Sequence, residues 1–215
     1  MRHLVVKICG IVDEGEALEC VHLGADALGF HFWSGSPRAI EPKRARRIVE
    51  RLPPFVAKVG VFVDEDPARI RQIGREVGLT AAQLHGDESP EDCESLSPLA
   101  WYKAFRVGPS FRPEALARYP STTYLLDSWR PPRPDGTAEP FDWRRVRGLS
   151  LYGRIVVAGG LDPENVATAI EQARPYGVDV ASGVEVGPGR KDLDRVEAFV
   201  RAAREAARGL ATGAG

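Results

Sequence analysis

Leu4-Val5-Val6-Lys7-Ile8-Cys9-Gly10 is a short, mostly aliphatic run that ends on a thiol and a glycine. A run of this length and composition, closed by a glycine turn, reads as a strand of a buried parallel sheet. Lys7 and Cys9 are two residues apart, so strand alternation puts both side chains on one face, with the thiol at the rim and the amine one layer below.

Outward from this stretch the same pattern recurs. Further strands are expected at Ala27–Phe32, Val56–Val61, Ala81–Leu84, Trp101–Phe105, Tyr124–Asp127, Ile155–Ala158 and Val178–Ala181. Helical segments fall after them at 13–23, 42–51, 67–77, 90–96, 113–118, 142–146, 163–173 and 192–207, several with proline near the start, where a missing N–H costs least. Strands alternating with helices imply a parallel sheet covered on both faces. Eight such units in one chain predict closure into a single (β/α)8 TIM barrel of eight parallel strands; an open doubly wound sheet is the alternative. The barrel is expected to occupy residues 1–208, with 209–215 as a frayed tail and the irregular 131–141 stretch as a mobile loop over the mouth.

The chain has 215 residues, 43% of them hydrophobic, enough for a substantial core. Its 29 basic and 30 acidic side chains leave a formal charge of -1 with no long single-sign run, so neither nucleic acid nor a membrane surface is the expected partner. Cys9, Cys20 and Cys93 are too few and too scattered for a disulfide framework, and no Cys/His spacing suggests a metal. With no signal-peptide pattern and no apolar run of spanning length, a cytoplasmic protein is expected.

Barrel chemistry gathers at the C-terminal ends of the strands. Those ends carry Cys9, the Ser34–Arg38 turn, Val63-Asp64, His85, Arg106, Asp127, Gly159-Gly160 and Ser182-Gly183. The glycines after strands seven and eight let backbone N–H groups approach an anion, so Gly159, Gly160, Ser182 and Gly183 are candidates for a phosphate site; tight turns alone are the other reading. Lys7 in the interior calls for an acid, and Asp179 on the neighbouring eighth strand is the candidate. That pair is either structural or helps depress the Cys9 thiol toward thiolate. Asp127 ends an apolar strand, where partial burial would keep a carboxyl protonated as a general acid requires; loop organisation is the alternative. Arg38, after a rigid turn, suits bidentate recognition of a carboxylate or is a surface arginine. His85 is either a ligand contact or a loop hydrogen bond.

Taken together, Val6-Lys7-Ile8-Cys9-Gly10, Leu28-Gly29-Phe30, Ser36-Pro37-Arg38, Val59-Gly60-Val61-Phe62, Gln83-Leu84-His85-Gly86, Phe141-Asp142-Trp143, Ala158-Gly159-Gly160-Leu161 with Asn165-Val166, and Gly177 to Glu185 resemble phosphoribosylanthranilate isomerases of tryptophan biosynthesis. The resemblance runs along nearly the whole chain in the family's order. It implies a cofactor-free Amadori rearrangement of a phosphorylated anthranilate, with Asp127 as acid and Cys9 as base. It further implies Arg38 on the anthranilate carboxylate and Gly159, Gly160, Ser182 and Gly183 on the phosphate, with His85 and Asp179 also toward the substrate. On this arrangement Arg38 and His85 lie at the aromatic end of the mouth, while the sugar lies between Asp127 and Cys9. Two segments depart from the family pattern. The loop after strand six reads Pro134-Asp135-Gly136-Thr137-Ala138-Glu139 in place of a Gly-Gly-Thr-Gly-like run, and Ala181 replaces a small polar residue. A related phosphoribosyl-amine isomerase and a non-catalytic phospho-ligand binder remain alternatives. The sequence leaves monomer and homodimer open.

Overall fold

In the computed structural model, which describes residues 4–128 and 141–212, eight parallel strands close into a barrel in chain order. They are β1 (Val5–Cys9), β2 (Ala27–His31), β3 (Ala57–Phe62), β4 (Ala81–Leu84), β5 (Ala100–Val107), β6 (Thr123–Ser128), β7 (Arg154–Val157) and β8 (Gly177–Val180). Closure comes from β1 pairing with β8 in a register that sets Lys7 opposite Asp179. On its other side β1 sets Cys9 opposite Gly29 of β2.

Local chemistry fixes where the helices begin. In α1 (Glu14–His22) the Asp13 side chain accepts the Glu16 N–H, and in α3 (Pro67–Val77) Asp66 accepts those of Ala68 and Arg69. The short α4 (Pro90–Glu94) starts with a reciprocal capping box between Ser89 and Asp92. Prolines occupy the first turn of α2 (Pro42–Val49), α3 and α4, as the sequence leads one to expect. Two expected helices are tighter than α. Residues Pro113–Arg118 and Trp143–Val146 are 3-10 turns. After the first of these, Pro120 keeps Tyr119 out of the helical region (φ -109°, ψ 128°), so the turn cannot lengthen into an α-helix. The chain then continues through α5 (Val166–Ala173) and α6 (Leu193–Thr212). The last helix runs past Arg208, where the sequence suggested that order would end. The loop expected at 131–141 lies outside the described residues except for Phe141.

Two-residue alternation divides the buried side chains into an outer and an inner layer. Val6, Ile8, Leu28, Phe30, Leu84, Leu126, Val157 and Val178 face the helices in the main core. Inside the barrel the apolar cluster is small: Ala104, Leu125, Val156 and Ala158, with Tyr102 against it. Polar side chains are buried as well, and Lys7, Gln83 and Asp179 are 3%, 2% and 6% exposed. An apolar side chain gains roughly 1.5–3 kcal/mol on full burial, whereas these polar groups cost free energy unless paired.

A second buried ion pair secures the loops that follow β3 and β4. Lys103 Nζ lies 3.1 Å from Glu88 Oε2 and donates to the carbonyls of Gly86 (2.7 Å) and Ala104 (3.1 Å). The Glu88 carboxylate in turn accepts the N–H groups of Gly86 and Asp64. Lys103→Met would strand a buried carboxylate and several carbonyls, so it is expected to lower unfolding stability by about 3–5 kcal/mol in urea titrations. A change within about 0.5 kcal/mol, as for a surface substitution, would contradict this role.

Candidate active site

The site is built around Lys7. Its ammonium donates to Asp179 Oδ2 (2.7 Å), Gln83 Oε1 (3.0 Å) and Cys9 Sγ (3.2 Å), spanning β8, β4 and its own strand. Burial opposes the charge on Lys7, but Asp179, with Cys9 and Tyr102 adding to it, outweighs burial and holds its pKa above the ordinary lysine range. The same burial pushes the Cys9 thiol up, and the pull of Lys7 offsets this only in part. The pairing of Lys7 with Asp179 is present as the sequence suggested, and Lys7 pulls the thiol down, but burial outweighs that pull.

Room for the thiol comes from β2. A Cβ on Gly29 would lie 2.5 Å from Cys9 Sγ and 3.2 Å from Lys7 Cε, so any side chain there would displace both functional groups. Two residues further along the same face, His31 Nε2 lies 3.3 Å from Cys9 Sγ. Burial, with the charges of Lys7 and Arg38 adding to it, lowers the pKa of this imidazole to about 3. Its Nδ1 faces Ser36 Oγ at 3.1 Å.

Gln83 joins the Lys7 cluster to the acid candidate. An ammonium only donates, so the amide oxygen must face Lys7; it also accepts from Tyr102 Oη at 2.9 Å. The Gln83 amide nitrogen therefore points to His85 Nδ1 at 3.0 Å. With Nδ1 accepting, the His85 proton resides on Nε2, which is 3.3 Å from Asp127 Oδ2. The other Asp127 oxygen accepts the Ser128 N–H at 2.7 Å. The carboxyl is 27% exposed, so hydrogen-bond donors characterise its surroundings more than burial does. His85 thus lies against the acid and not at the Arg38 end where the sequence placed it.

Arg38 crosses the end of β1. Gly10, at φ 82°, leaves the space it fills, since a Cβ there would lie 2.4 Å from Arg38 Cδ. Glu185 fixes the guanidinium: Arg38 Nε donates to both of its oxygens at 3.0 Å, and Nη2 to Oε2 at 2.6 Å. Glu185 belongs to β9 (Glu185–Gly187), which pairs with β10 (Arg190–Lys191). Lys191 Nζ reaches Glu185 Oε1 (2.7 Å) and the carbonyl of Cys9 (2.5 Å), joining this hairpin to the end of β1. Burial would raise the Glu185 carboxyl, but hydrogen bonds from Arg38 and Lys191 and their charges hold it below the usual range. With its side chain only 16% exposed, Arg38 is not a surface arginine, and its carboxylate-binding fork is engaged by the protein itself.

The phosphate candidates come together between β7 and β8. Gly159 and Gly160 adopt φ 83° and 67°. A Cβ on Gly159 would lie 2.2 Å from Asp127 Oδ1, so this glycine allows the loop to pack directly on the acid. A Cβ on Gly183 would lie closer still to the Leu161 carbonyl oxygen, so the Ser182-Gly183 turn packs against the Gly159–Leu161 loop. Asn165 Nδ2 holds the Gly160 carbonyl (2.8 Å), and Arg195 Nε holds that of Gly183 (2.9 Å). Among the described residues no group of three or more His, Cys, Asp or Glu side chains is placed to hold a metal ion.

Sequence reasoning singled out neither His31 nor Gln83, Tyr102, Glu185 and Lys191 as individual site residues. A signal existed for two of them: His31 follows Gly29, and Gln83 precedes His85, at the two-residue spacing that keeps side chains on one face.

Fold and site define a (β/α)8 barrel with a thiol and a carboxyl at the ends of β1 and β6 and glycine loops on the arc between them. The family model for N-(5'-phosphoribosyl)anthranilate isomerases matches residues 6–202. The chain belongs to that family. It is 50% identical to the isomerase of Trichlorobacter lovleyi over 94% of this chain and 98% of the relative. It is also 50% identical to that of Desulforudis audaxviator over 94% and 98%. Among solved structures, the isomerase of Thermotoga maritima superposes with a TM-score of 0.87 at 42% identity, covering 94% of this chain and all of the other. A family structure in complex with reduced 1-(o-carboxyphenylamino)-1-deoxyribulose 5-phosphate gives 0.85 at 41% identity, with coverage of 94% and 100%.

The depressed Glu185 carboxyl gives a pH-dependent contribution of definite sign. Its stabilisation is fully present above its unfolded value near 4.5 and is lost as the pH falls through the lower folded value. Glu185→Gln is therefore expected to be less stable than wild type at pH 7, with the difference narrowing below about pH 4.5 in urea titrations. A difference that stays constant across this range would show that the ion pairs do not supply it.

Proposed function

We propose that this chain catalyses the Amadori rearrangement of N-(5-phosphoribosyl)anthranilate to 1-(2-carboxyphenylamino)-1-deoxyribulose 5-phosphate in tryptophan biosynthesis. The observation that carries the reading is the placement of Cys9 and Asp127 on either side of the β7 and β8 glycine loops, at the ends of β1 and β6. A phosphate seated on Gly159, Gly160, Ser182 and Gly183 sets the ribose between the two groups.

Asp127 gives a proton to the furanose oxygen, the C1–O bond breaks and the C1–N bond becomes an iminium. Cys9, as thiolate, removes the proton from C2, and the C–H electron pair forms the C1–C2 double bond of an enolamine. Tautomerisation to the ketone completes the reaction. The protein loses one proton at Asp127 and gains one at Cys9, so exchange with solvent restores both. His85, held by Gln83, orients the acid. Arg38, whose Nε and Nη2 are held by Glu185, offers Nη1 to the anthranilate carboxylate. Asp179 contributes its second oxygen, which is buried without a hydrogen-bond partner, to a sugar hydroxyl. Retention of both a base and an acid favours this reading over a silent phospho-ligand binder.

We further infer assembly with a second copy of this chain, in the cytoplasm. Phe55 is 99%, Leu151 76% and Tyr176 40% exposed. These residues precede β3, β7 and β8, on the face opposite the catalytic mouth. A structure described as mutually generated monomers of the dimeric Thermotoga maritima enzyme is 40% identical with a TM-score of 0.79. Association through this apolar face would leave the mouth open. Light scattering is expected to give twice the chain mass for wild type and a lighter particle for Phe55→Glu; a monomeric wild type at micromolar concentration would exclude the dimer.

Turnover is tested by generating the labile substrate in situ from anthranilate and phosphoribosyl pyrophosphate with the transferase, then following its fluorescence. Cys9→Ala and Asp127→Ala are each expected to lower kcat by about 10²–10⁴-fold with circular dichroism unchanged. An inactive, correctly folded wild type, or a variant with full activity, would contradict the assignment.

A further inference from the structure

Cys9 has two polar neighbours on its sulfur. Lys7 Nζ, at 3.2 Å, supplies charge. His31 Nε2, at 3.3 Å, comes from the adjacent strand. The hydrogen bonds around this contact favour one placement of its protons. Ser36 Oγ accepts the Arg38 N–H at 3.1 Å and has its own hydroxyl proton available to donate to His31 Nδ1, also at 3.1 Å. An imidazole that accepts at Nδ1 carries its single proton at Nε2 and directs it at the sulfur.

We propose that His31 is a positioning residue for the thiol base: a neutral imidazole, fixed in its Nε2–H tautomer by Ser36, that donates to Cys9 Sγ and favours the thiolate. This inference rests on Cys9 being the base in the rearrangement, but it concerns the state of the thiol and can be read without turnover. The site needs such a donor because burial disfavours the charged sulfur, and each hydrogen bond to the charged form works against that.

The charges around the sulfur disfavour the alternative in which His31 takes the thiol proton. Lys7 on β1, Arg38 after β2 and Lys191 on β10 already surround the imidazole with positive charge, and burial further disfavours an imidazolium. Asp179 on β8 is committed to Lys7. Tyr102 on β5 donates to Gln83, and His85 on β4 and Asp127 on β6 face each other. In this scheme His31 keeps one proton throughout. The thiol proton leaves to solvent before the chemical step, and the thiolate regains a proton from substrate C2.

The test measures the Cys9 titration directly. Wild type, His31→Val and His31→Gln are alkylated with iodoacetamide across pH 6–11, and modification is quantified on the Cys9 peptide by mass spectrometry. The buried Cys20 and Cys93 thiols are resolved separately on their own peptides. His31→Val is expected to raise the Cys9 midpoint by about one unit, since a hydrogen bond to a charged group is worth that much or more. It is also expected to lower kcat about tenfold near neutral pH, with KM changed less than twofold. His31→Gln keeps an N–H donor and should recover part of both effects. Histidine ¹⁵N spectra of the unaltered protein give a readout that does not depend on a variant folding: His31 should be neutral at pH 7, protonated on Nε2 and bare on Nδ1. A Cys9 midpoint unmoved in His31→Val, or a His31 carrying its proton on Nδ1 or on both nitrogens, would overturn the proposal.

Discussion

The buried ammonium of Lys7 is the constraint on which the catalytic end depends. Few positions are less hospitable to a charge than the interior of a small barrel, where the unrelaxed desolvation cost runs to many kcal/mol and the effective cost to several. Lys7 remains charged because Asp179 lies opposite it in the β1–β8 register and because Gln83 and Cys9 accept its remaining protons. Replacing the cluster with aliphatic side chains would be at least as favourable for folding. What the polar arrangement provides is orientation: each functional group is held by a partner that is itself held.

From Lys7 the order spreads in two directions. Through Gln83 it fixes the tautomer of His85 and hence the donor that faces Asp127. Through Cys9 it meets His31, Ser36 and the backbone of Arg38. Arg38 is gripped from the other side by Glu185, which Lys191 ties to the end of β1. Cys9 and Asp127, the proposed base and acid, are thus linked through a continuous polar network across the barrel. Glycine keeps it compact at the two ends, Gly29 beside the Cys9 thiol and Gly159 beside the Asp127 carboxyl, each where a methyl group would collide with that side chain.

Much of this was legible in the sequence, for a definite physical reason. Strand neighbours follow from chain order in a parallel barrel, so the pairing of Lys7 with Asp179 and the adjacency of the two glycine loops could be read from spacing alone. Contacts that cross the barrel could not. Gln83 reaching Lys7, or His85 reaching Asp127 over β5, depends on stagger and side-chain length, which no local pattern encodes. Glu185 escaped for a similar reason: its partners are Arg38, far away in sequence, and a lysine on a two-residue strand. The helical turns after β5 and β6 lie where the sequence places them, but their tighter 3-10 winding is not legible because segments this short show too few turns to reveal their period.

The most direct test of the Lys7-centred account is kcat of the double variant Lys7→Met/Asp179→Asn on substrate generated in situ. The charge pair is removed without stranding either partner, so the barrel should remain folded. If the ammonium organises the base and acid, turnover falls at least tenfold and alkylation of Cys9 at neutral pH slows with it. Turnover within twofold of wild type, in a folded protein, would show that the site does not depend on this charge.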